Sequence, residues 1–322
     1  MDCPVCSTPV SEAPVATYTS VQTARHSCSE TRDADRNARL RATIERLWQR
    51  DTCQILNCTT CDFMFGVPYV AGDEAFYAIL HEQQGYPAWR YEYDIALRAT
   101  ATADTPFRSA LDIGAGSGAF LKALPAGWKR AAIEGSPVTR EGLKQAGISA
   151  YGDLEEVPPS SDGTFHLVTL FQVLEHLAPF AGCLSACRRL VHSQGLLVIS
   201  VPDAHAMLAQ EKATGCPDCP PNHINKWTPA SLTRALSSAG FEVRETTLER
   251  PSLHTLRSGL HQRLMTDATR PGTLADRVYR FRDRRLRIAL LAGLSAFAAV
   301  RLVPHWRYFA SGGSFTVVAT PA

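Results

Sequence analysis

The chain has 322 residues, of which 45% are hydrophobic and 20% charged, a composition typical of a globular protein. Lysine and arginine total 33 against 31 acidic residues, and this formal net charge of +2 argues against nucleic acid as a partner. The length exceeds what one small domain needs and predicts about two domains.

The N-terminus reads MDCPVCSTPV, without the basic and apolar regions of a secretory signal, so we expect a cytoplasmic protein. The longest apolar run extends from Ile288 to Val300 and is closed by Arg301. A bilayer-spanning helix needs about 20 apolar residues, so the run predicts a buried helix. The stretch Arg277–Arg287 before it is basic, which leaves a weak membrane-surface contact through residues 277–303 as the alternative.

The first hundred residues predict a small unit followed by helices. Residues 1–28 are rich in Ser, Thr, Pro and Val, which favours loops and short strands. Ser29–Arg50 predicts a charged helix with one apolar stripe. The stripe is formed by Leu40, Ile44, Leu47 and Trp48. A strand, a C-x-x-C turn and a second strand ending at about Pro68 follow, and Ala75–Ala103 predicts one or two helices.

From Phe107 onward, short apolar strands alternate with helical segments. The predicted strands cover 109–113, 129–133, 148–151, 165–171, 195–201, 241–248 and 313–319. The predicted helices cover 137–146, 179–191 and 229–238, and a further one begins at about 117. This alternation predicts a doubly wound, Rossmann-like α/β fold with a mostly parallel seven-stranded sheet. The approximately 60 residues between the last two strands predict a mainly helical insertion.

A glycine-rich loop, Asp112-Ile-Gly-Ala-Gly-Ser-Gly118, lies between the first of these strands and its helix. Glycines permit a tight turn and close approach of a ligand to the backbone, and the helix N-terminus offers free N–H groups. Glu134 ends the second strand, where a carboxylate can reach the two ribose hydroxyls of a cofactor lying across the strand ends. The pattern therefore predicts a nucleotide-cofactor site at the carboxyl edge of the sheet.

Two cofactors fit this loop. The pattern Gly114-x-Gly116-x-x-Ala119 fits a dinucleotide and leaves an NAD-dependent oxidoreductase open. Three features favour S-adenosylmethionine (SAM). Asp112 can help to hold the amino-acid end of the cofactor, and more than a hundred residues precede the glycine strand, unlike in most dinucleotide folds. After the third strand, Asp153 can accept a hydrogen bond from the adenine amino group while the N–H of Leu154 contacts the ring.

Five segments in order, LDIGAGSGAFL, IEGSP, GDLEEVP, FQVLEH and GLLVISVPD, resemble the class I SAM-dependent methyltransferases. The resemblance covers about Phe107 to Leu248 and the last strand, and it implies a methyltransferase with SAM as its cofactor. The residues that it implies to contact SAM are Asp112, Gly114, Ala115, Gly116, Gly118, Glu134, Asp153, Leu154, Phe171 and Gln172.

The chain has ten cysteines and no secretory signal, and the six cysteines in C-x-x-C pairs predict metal ligands rather than disulfides. The pairs Cys3/Cys6 and Cys58/Cys61 supply four thiolates, which would close a tetrahedral zinc site and make it structural. The sequence around the second pair resembles half of the zinc ribbon that precedes some methyltransferase domains, best known in C-methyltransferases of nucleotide-linked deoxysugars. Fifty-one residues separate the two pairs, so Cys28 or Cys53 is an alternative ligand.

A third cluster, Cys216-x-x-Cys219-x-x-x-His223, follows the fifth strand. Its spacing permits a second metal with His205 as a further ligand, while the neighbouring prolines favour an ordered lid. Cys183 and Cys187 lie four residues apart on a predicted helix, and we expect them to pack in the core.

Two histidines, His223 and His176, are the candidate catalytic residues. Methyl transfer to a hydroxyl or a carbon acid needs a base, and histidine is the usual residue type. His223 matches the loop histidine that serves as base in the deoxysugar C-methyltransferases, although Pro220 stands where those enzymes have a tyrosine. His176 is shared by small-molecule methyltransferases of this class, and its alternative role is to cap the following helix.

These features predict a division of the chain into five parts. They are a zinc-ribbon domain (1–68), a helical cover (69–105), a SAM-binding core (106–248), a helical insertion (249–312) and a last core strand (313–322). We expect O- or C-methylation of a small-molecule acceptor, such as a nucleotide-linked sugar or another biosynthetic intermediate, and the oligomeric state stays open. An apolar membrane-associated acceptor such as a quinone precursor is one alternative, and a non-catalytic partner-binding protein is another.

Overall fold

A computed structural model of the chain describes residues 1–28, 30, 33–82, 89–101, 108–281, 283–302 and 312–322. Its strands form a sheet of four and a sheet of seven in this part of the chain. Phe107, the predicted start of the core, lies outside the described residues, as does part of the predicted helical cover.

The chain up to residue 101 forms a small antiparallel sheet with helices beside it. Its elements are β1 (Ala16–Thr19), α1 (Ser20–Ser27), α2 (Ala34–Trp48), β2 (Thr52–Cys58), β3 (Phe63–Val67), α3 (Glu74–His81) and α4 (Tyr91–Ala101). β2 lies between β1 and β3 and pairs antiparallel with both. Leu40, Ile44 and Trp48 of α2 are buried in one cluster with Ile55 of β2, so the predicted stripe is confirmed.

The expectation of loops and short strands over residues 1–28 is wrong for α1. The Thr19 hydroxyl accepts a hydrogen bond from the Gln22 N–H, and the Gln22 side chain accepts one from the Thr19 N–H. This capping box satisfies two donors at the helix start. α2 begins later than predicted because the Asp33 side chain caps it by accepting from the Arg36 N–H.

The second part of the chain forms the large sheet. Its elements are β4 (Ser109–Ile113), α5 (Ala119–Ala123), β5 (Lys129–Ile133), α6 (Pro137–Gln145), β6 (Ser149–Tyr151), β7 (Phe165–Phe171), α7 (Phe180–Leu190), β8 (Val191–Pro202), α8 (Ala204–Thr214), β9 (Asn225–Lys226), α9 (Pro229–Ser238), β10 (Phe241–Leu248), α10 (Leu253–Ala268), α11 (Leu274–Tyr279), α12 (Arg284–Leu302) and β11 (Ser314–Pro321), with 3₁₀ turns at Pro159–Ser161 and Leu174–His176. The strand order is β10-β11-β8-β7-β4-β5-β6. The predicted doubly wound, seven-stranded fold is confirmed.

β11 runs antiparallel to β10 and β8, and the remaining neighbours are parallel. Every residue of β4 is buried, as expected for a strand covered on both faces. The strands β4, β5, β6 and β7 therefore end at one edge of the sheet, where parallel α/β proteins bind ligands. β10 is parallel to β8, so the helices α10 to α12 leave the sheet at the same edge.

β9 belongs to the small sheet although it follows β8 in the chain. It pairs with β3 through Met64 opposite Lys226 and Phe65 opposite Asn225. Neither β9 nor α8 is predicted from the sequence. The pairing fixes the loop before β9 against the N-terminal part of the protein.

The helices α10, α11 and α12 fill the insertion between β10 and β11, as predicted. Within the described residues, none of the helices combines the length and the apolar character needed to cross a bilayer.

Candidate functional site

The glycine loop after β4 brings backbone to the carboxyl edge of the sheet. Gly114, Gly116 and Gly118 have φ angles of 75°, 53° and 73°, in the left-handed region that favours glycine. A Cβ on Gly114 would lie 2.4 Å from Cγ2 of Val173, so the loop also needs glycine for space. The N–H of Gly114 and that of Ala115 both point to the Ile133 carbonyl, at 2.8 and 3.2 Å, which ties the loop to the end of β5.

Glu134 joins this loop from the neighbouring strand. One carboxylate oxygen accepts a hydrogen bond from the Gly116 N–H at 2.8 Å, and the other accepts from the Ser136 N–H at 3.0 Å. The Glu134 N–H donates to the Tyr151 carbonyl at the end of β6. An acidic side chain therefore lies at the mouth of the glycine loop, where sequence reasoning expected it.

Asp112 lies beneath the loop and is 3% exposed. Its carboxyl accepts a hydrogen bond from the Thr169 hydroxyl at 2.7 Å. Burial raises the pKa of Asp112 to about 7, and the nearby Glu134 adds to the rise, while the Thr169 bond works against it. A cationic ligand bound beside Asp112 would lower this pKa and leave the carboxyl group ionised near neutral pH.

Asp153 and Leu154 follow β6, the strand next to β5. Asp153 is exposed, and one of its oxygens accepts from the N–H groups of Glu155 and Glu156 at 2.9 and 3.0 Å. Leu154 packs partly against the core. The pair lies at the predicted edge of the sheet, and Asp153 also shapes its own turn.

Phe171 and Gln172 end β7. The Phe171 ring is buried against the rings of Tyr93 and Phe120, with centroids 4.9 and 5.0 Å away. Gln172 adopts a φ of 58° and donates its N–H to the Ser200 carbonyl at 2.9 Å. Phe171 therefore forms an apolar floor on the α4 side, and the backbone turns sharply after it.

The two candidate histidines lie together. The ring centroids of His176 and His223 are 4.6 Å apart. Nδ1 of His176 lies 2.8 Å from the Asn222 carbonyl and 3.2 Å from the Tyr77 hydroxyl, so the loop before β9 and α3 both contact this ring. His176 lies three residues after Val173, whose side chain lies against Gly114 of the glycine loop.

Asp218 is a partner of His223 that sequence reasoning missed. Its carboxylate lies 2.6 Å from Nδ1 of His223 and forms an ion pair with it. The Asp218 side chain is 29% exposed and the His223 side chain is 15% exposed. Burial disfavours the charged imidazole, but the carboxylates of Asp218 and Glu175 outweigh it and raise the pKa of His223. Burial also opposes ionisation of Asp218, yet the charge of His223 lowers the pKa of Asp218 to about 2.

Glu175 is a second acidic group at this point and is 1% exposed. Neither of its carboxyl oxygens has a hydrogen-bond partner among the described residues, and burial raises its pKa to about 7. Glu175, His176 and His223 offer ligand atoms within 4.8 Å of one another. The neighbouring carboxylates raise the pKa of His223, so this cluster binds a proton on the imidazole more tightly than an isolated histidine does.

A buried amide fixes the two loops that carry these groups. The Asn225 side chain donates to the carbonyls of Leu174 and Leu177, at 3.0 and 2.7 Å. Its oxygen accepts from the Tyr69 hydroxyl at 2.7 Å. Because Asn225 belongs to β9, the small sheet positions the histidine cluster of the core.

The four predicted cysteine ligands form a second site in the small N-terminal part. Cys3 Sγ lies 3.6 Å from Cys61 Sγ, and Cys6 Sγ lies 3.5 Å from Cys58 Sγ. Four thiolates at about 2.3 Å from a zinc ion would be separated by about 3.8 Å, so the arrangement is close to that of a tetrahedral site. Burial raises the pKa of Cys3 to about 11, and a divalent cation would favour its thiolate instead.

The alternative ligands are not part of this cluster. Cys28 and Cys53 are buried apart from it, with their nearest hydrogen-bond partners on the backbone of other residues. Cys219 donates to Thr23, while His205 pairs with Asp62 at 2.8 Å. Among the described residues, no group of possible metal ligands includes Cys216 or Cys219, so these cysteines and His223 are not gathered into the second metal site that their spacing permits. Cys183 and Cys187 are buried in the core, as expected.

Comparison with known families identifies the core. The sequence model of the family described as "Methyltransferase domain" matches residues 80–246, more than half of the chain. The chain belongs to this methyltransferase-domain family. The matched region includes the glycine loop, Glu134, Asp153 and both candidate histidines.

Two curated relatives of the methyltransferase share part of its sequence. A protein of Mycolicibacterium smegmatis described as a "probable S-adenosylmethionine-dependent methyltransferase" is 35% identical over 100 residues, which are 30% of this chain and 35% of that protein. A ubiquinone biosynthesis O-methyltransferase of Thiobacillus denitrificans is 28% identical over 157 residues, or 44% of this chain and 67% of the relative. The chain thus spans about a third of the first relative and two thirds of the second.

Solved structures similar to this methyltransferase include a SAM-dependent methyltransferase from Archaeoglobus fulgidus. The two chains are 16% identical with a TM-score of 0.46, and the match covers 76% of this chain and 99% of the other.

Proposed function

We propose that the protein catalyses SAM-dependent methyl transfer to a small-molecule acceptor. The observation that carries the proposal is the contact between Glu134 and the Gly116 N–H across the ends of two parallel strands. It places an acidic group beside a glycine cradle at the edge of a methyltransferase-domain core, where a nucleoside would fit.

The residues for SAM would have separate tasks. The loop residues Gly114, Ala115, Gly116 and Gly118 would allow close approach of the ligand to the backbone. Glu134 would exchange its loop contacts for the ribose hydroxyls, and Asp112 would hold the cationic amino-acid end. Asp153 and Leu154 would contact adenine, and Phe171 and Gln172 would line the inner wall. Bound SAM would supply a methyl group already activated by its sulfonium.

His223 is the base that we propose for an acceptor hydroxyl or carbon acid. The Asp218 carboxylate, 2.6 Å from Nδ1, would hold the proton on that nitrogen, which would leave Nε2 to accept the acceptor's proton. His176 would position the loop through its bond to Asn222. The arrangement resembles a His–Asp pair, in which the acid sets the tautomer and stabilises the imidazolium.

Titration calorimetry with SAM, S-adenosylhomocysteine and NADH would test the cofactor. We expect micromolar affinity for the first two and none for NADH. Binding of NADH alone would instead support the oxidoreductase alternative. Binding of SAM without turnover of any acceptor would support a non-catalytic role.

We also propose one structural zinc ion, held by Cys3, Cys6, Cys58 and Cys61, within an N-terminal zinc-ribbon domain covering 1–68. The four sulfur atoms are gathered from both ends of that segment, as a ribbon requires. Four thiolates would leave the ion no open position, so its role would be to hold the ribbon together. Ten free cysteines would suit a reducing compartment, and we propose the cytoplasm.

We also propose the remaining divisions of the chain: a helical cover (69–105), a SAM-binding core (106–248), a helical insertion (249–312) and a last strand (313–322).

An apolar acceptor is the second candidate for the methyl acceptor, because α12 has an exposed apolar side. A sugar nucleotide would not need such a surface.

A further inference from the structure

α12 exposes large apolar side chains along its length. Leu286, Ile288, Leu290 and Val300 are 46%, 55%, 37% and 69% exposed. A helix on the surface of a globular protein normally directs such residues to the core, and a contiguous exposed apolar face marks an interaction site.

The exposed residues cover about 200° of the helix circumference, on the side away from Ala298. At about 100° per residue, Ile288, Ala292, Ala296 and Val300 form a row, because each follows the previous one by four positions. Leu286, Ala289 and Gly293 lie beside this row and are also exposed. On the opposite side Ala298 is buried, and α10 and α11 pack against the helix.

Positive charge flanks this face. The lead-in RVYRFRDRRLR carries six arginines and one aspartate, and the sequence of α12 contains no acidic residue. Arg285 is exposed at the start of the helix, and its N–H donates to the Asp283 carboxylate that begins the turn. The sequence places Arg301 near the other end.

The helix suits a bilayer surface better than a bilayer crossing. Nineteen residues rise about 28 Å, but no helix in the described ranges is apolar enough to span a membrane. An apolar face with flanking arginines is the pattern of helices that lie between lipid headgroups and acyl chains.

A second copy of the chain fits this face less well. Parallel pairing of two α12 helices would bring Arg285 next to its own counterpart, and antiparallel pairing would bring the two ends of the helix together, each of which carries arginine in the sequence. Either arrangement sets like charges together, whereas anionic headgroups would neutralise them.

We propose that the exposed face of α12 docks on the surface of an anionic lipid bilayer. The helix belongs to the insertion that leaves β10 at the same sheet edge as the glycine loop. Docking would hold the carboxyl edge of the core near the membrane and give the protein access to an apolar acceptor dissolved there. The docking itself does not depend on methyl transfer.

Flotation of the full-length protein with vesicles, without SAM or acceptor, tests the proposal. One set would be pure phosphatidylcholine and the other would contain about 30% phosphatidylserine. We expect binding to the anionic vesicles that weakens with added salt, and little binding to the neutral ones. Absence of binding to both sets would overturn the proposal, and would leave the proposed activity untouched because SAM binding is measured separately.

Two substitutions sharpen the experiment. Ile288→Ser should weaken vesicle binding by at least about tenfold, since it removes one apolar side chain that would be buried in the bilayer. Arg285→Gln should weaken it by about fivefold. Val138→Ser is the matched control, because Val138 is 84% exposed on α6, and it should bind like the parent protein.

Light scattering after size-exclusion chromatography measures the oligomeric state and tests whether a second copy of the chain covers this face instead. A dimer that Ile288→Ser converts to a monomer, together with unchanged vesicle binding by that variant, would assign the face to a second copy and overturn the proposal. A parent protein that elutes as a monomer and floats with anionic vesicles would support it.

Discussion

The Asp218 carboxylate lies 2.6 Å from Nδ1 of His223, at the border between the small sheet and the core. Asp218 and His223 lie in the loop before β9, and β9 is fixed by pairing with β3. The base that we propose is therefore oriented by an acid on its own loop, while β3 of the small sheet holds that loop in place.

Asp218→Asn should lower the pKa of His223, because the Asp218 carboxylate raises it more than Glu175 does. A base acts in its neutral form, so activity rises as the pH passes its pKa. The rising limb of the pH–rate profile should therefore move to lower pH in the variant. Loss of orientation should reduce the plateau rate by about tenfold or more. NMR titration of the imidazole nitrogens measures the pKa without any acceptor.

Asp162→Asn is a suitable control for this variant. Asp162 is a half-exposed aspartate that pairs with Arg189 away from the histidines. Its replacement should leave both the titration and the rate unchanged. An unchanged pKa of His223 in Asp218→Asn would show that the pair does not control the proton.

The sequence predicts the core strands closely, because their signal is local. β4, β5 and β7 coincide with apolar runs at the predicted positions, and the glycine loop follows β4 as expected. α8 also has a local signal in the sequence, since Asp203 caps its start and Gly215 ends it in a left-handed conformation.

Other features depend on contacts between distant residues. β9 has two residues and exists only through its pairing with β3 about 160 positions earlier, so no periodicity could reveal it. Asp218 lies five residues before His223 with no pattern that joins them, and only the fold of the loop brings them together. The four cysteines could be predicted as ligands because C-x-x-C is a local motif, even though the pairing of the two motifs is not.

Glu134→Gln should weaken SAM binding by about tenfold to a hundredfold, because hydrogen bonds to a charged group contribute about 1.5–3 kcal/mol. The fold should persist, since an amide can still accept from the Gly116 N–H. Glu141→Gln, an exposed glutamate on the nearby α6, serves as the control and should bind SAM normally. Calorimetry of both variants measures the difference, and equal affinities would remove Glu134 from the cofactor site.

The protein purified without chelator should contain about one zinc ion per chain. Cys61→Ser should lose that zinc and lower the melting temperature, because it removes one of the four proposed ligands, which would hold the two C-x-x-C motifs together. Cys216→Ser should keep the zinc, since Cys216 lies outside the cluster. Elemental analysis and thermal denaturation measure both effects. Zinc retained at full occupancy in Cys61→Ser would contradict the assignment of the site.

Asp112→Asn should separate the stability of the protein from its affinity for SAM. The folded pKa of Asp112, about 7, lies above the ordinary value of 3.8, so the folded state binds this proton more tightly than the unfolded state does. This tighter binding of the proton stabilises the folded state fully below about pH 4, and the stabilisation is lost as the pH rises through about 7. Asparagine avoids this loss and can still accept from Thr169.

The variant should therefore melt at a higher temperature than the parent near pH 8 and at a similar temperature near pH 4. Its affinity for SAM should fall, because the charge that would hold the cationic end is gone. In the parent protein, affinity should rise between about pH 6 and pH 8 as the carboxylate forms, and this rise should be absent in Asp112→Asn. Melting curves and calorimetry across that range give both results. A parent affinity that does not change with pH would mean that Asp112 shapes the loop without contacting the cofactor.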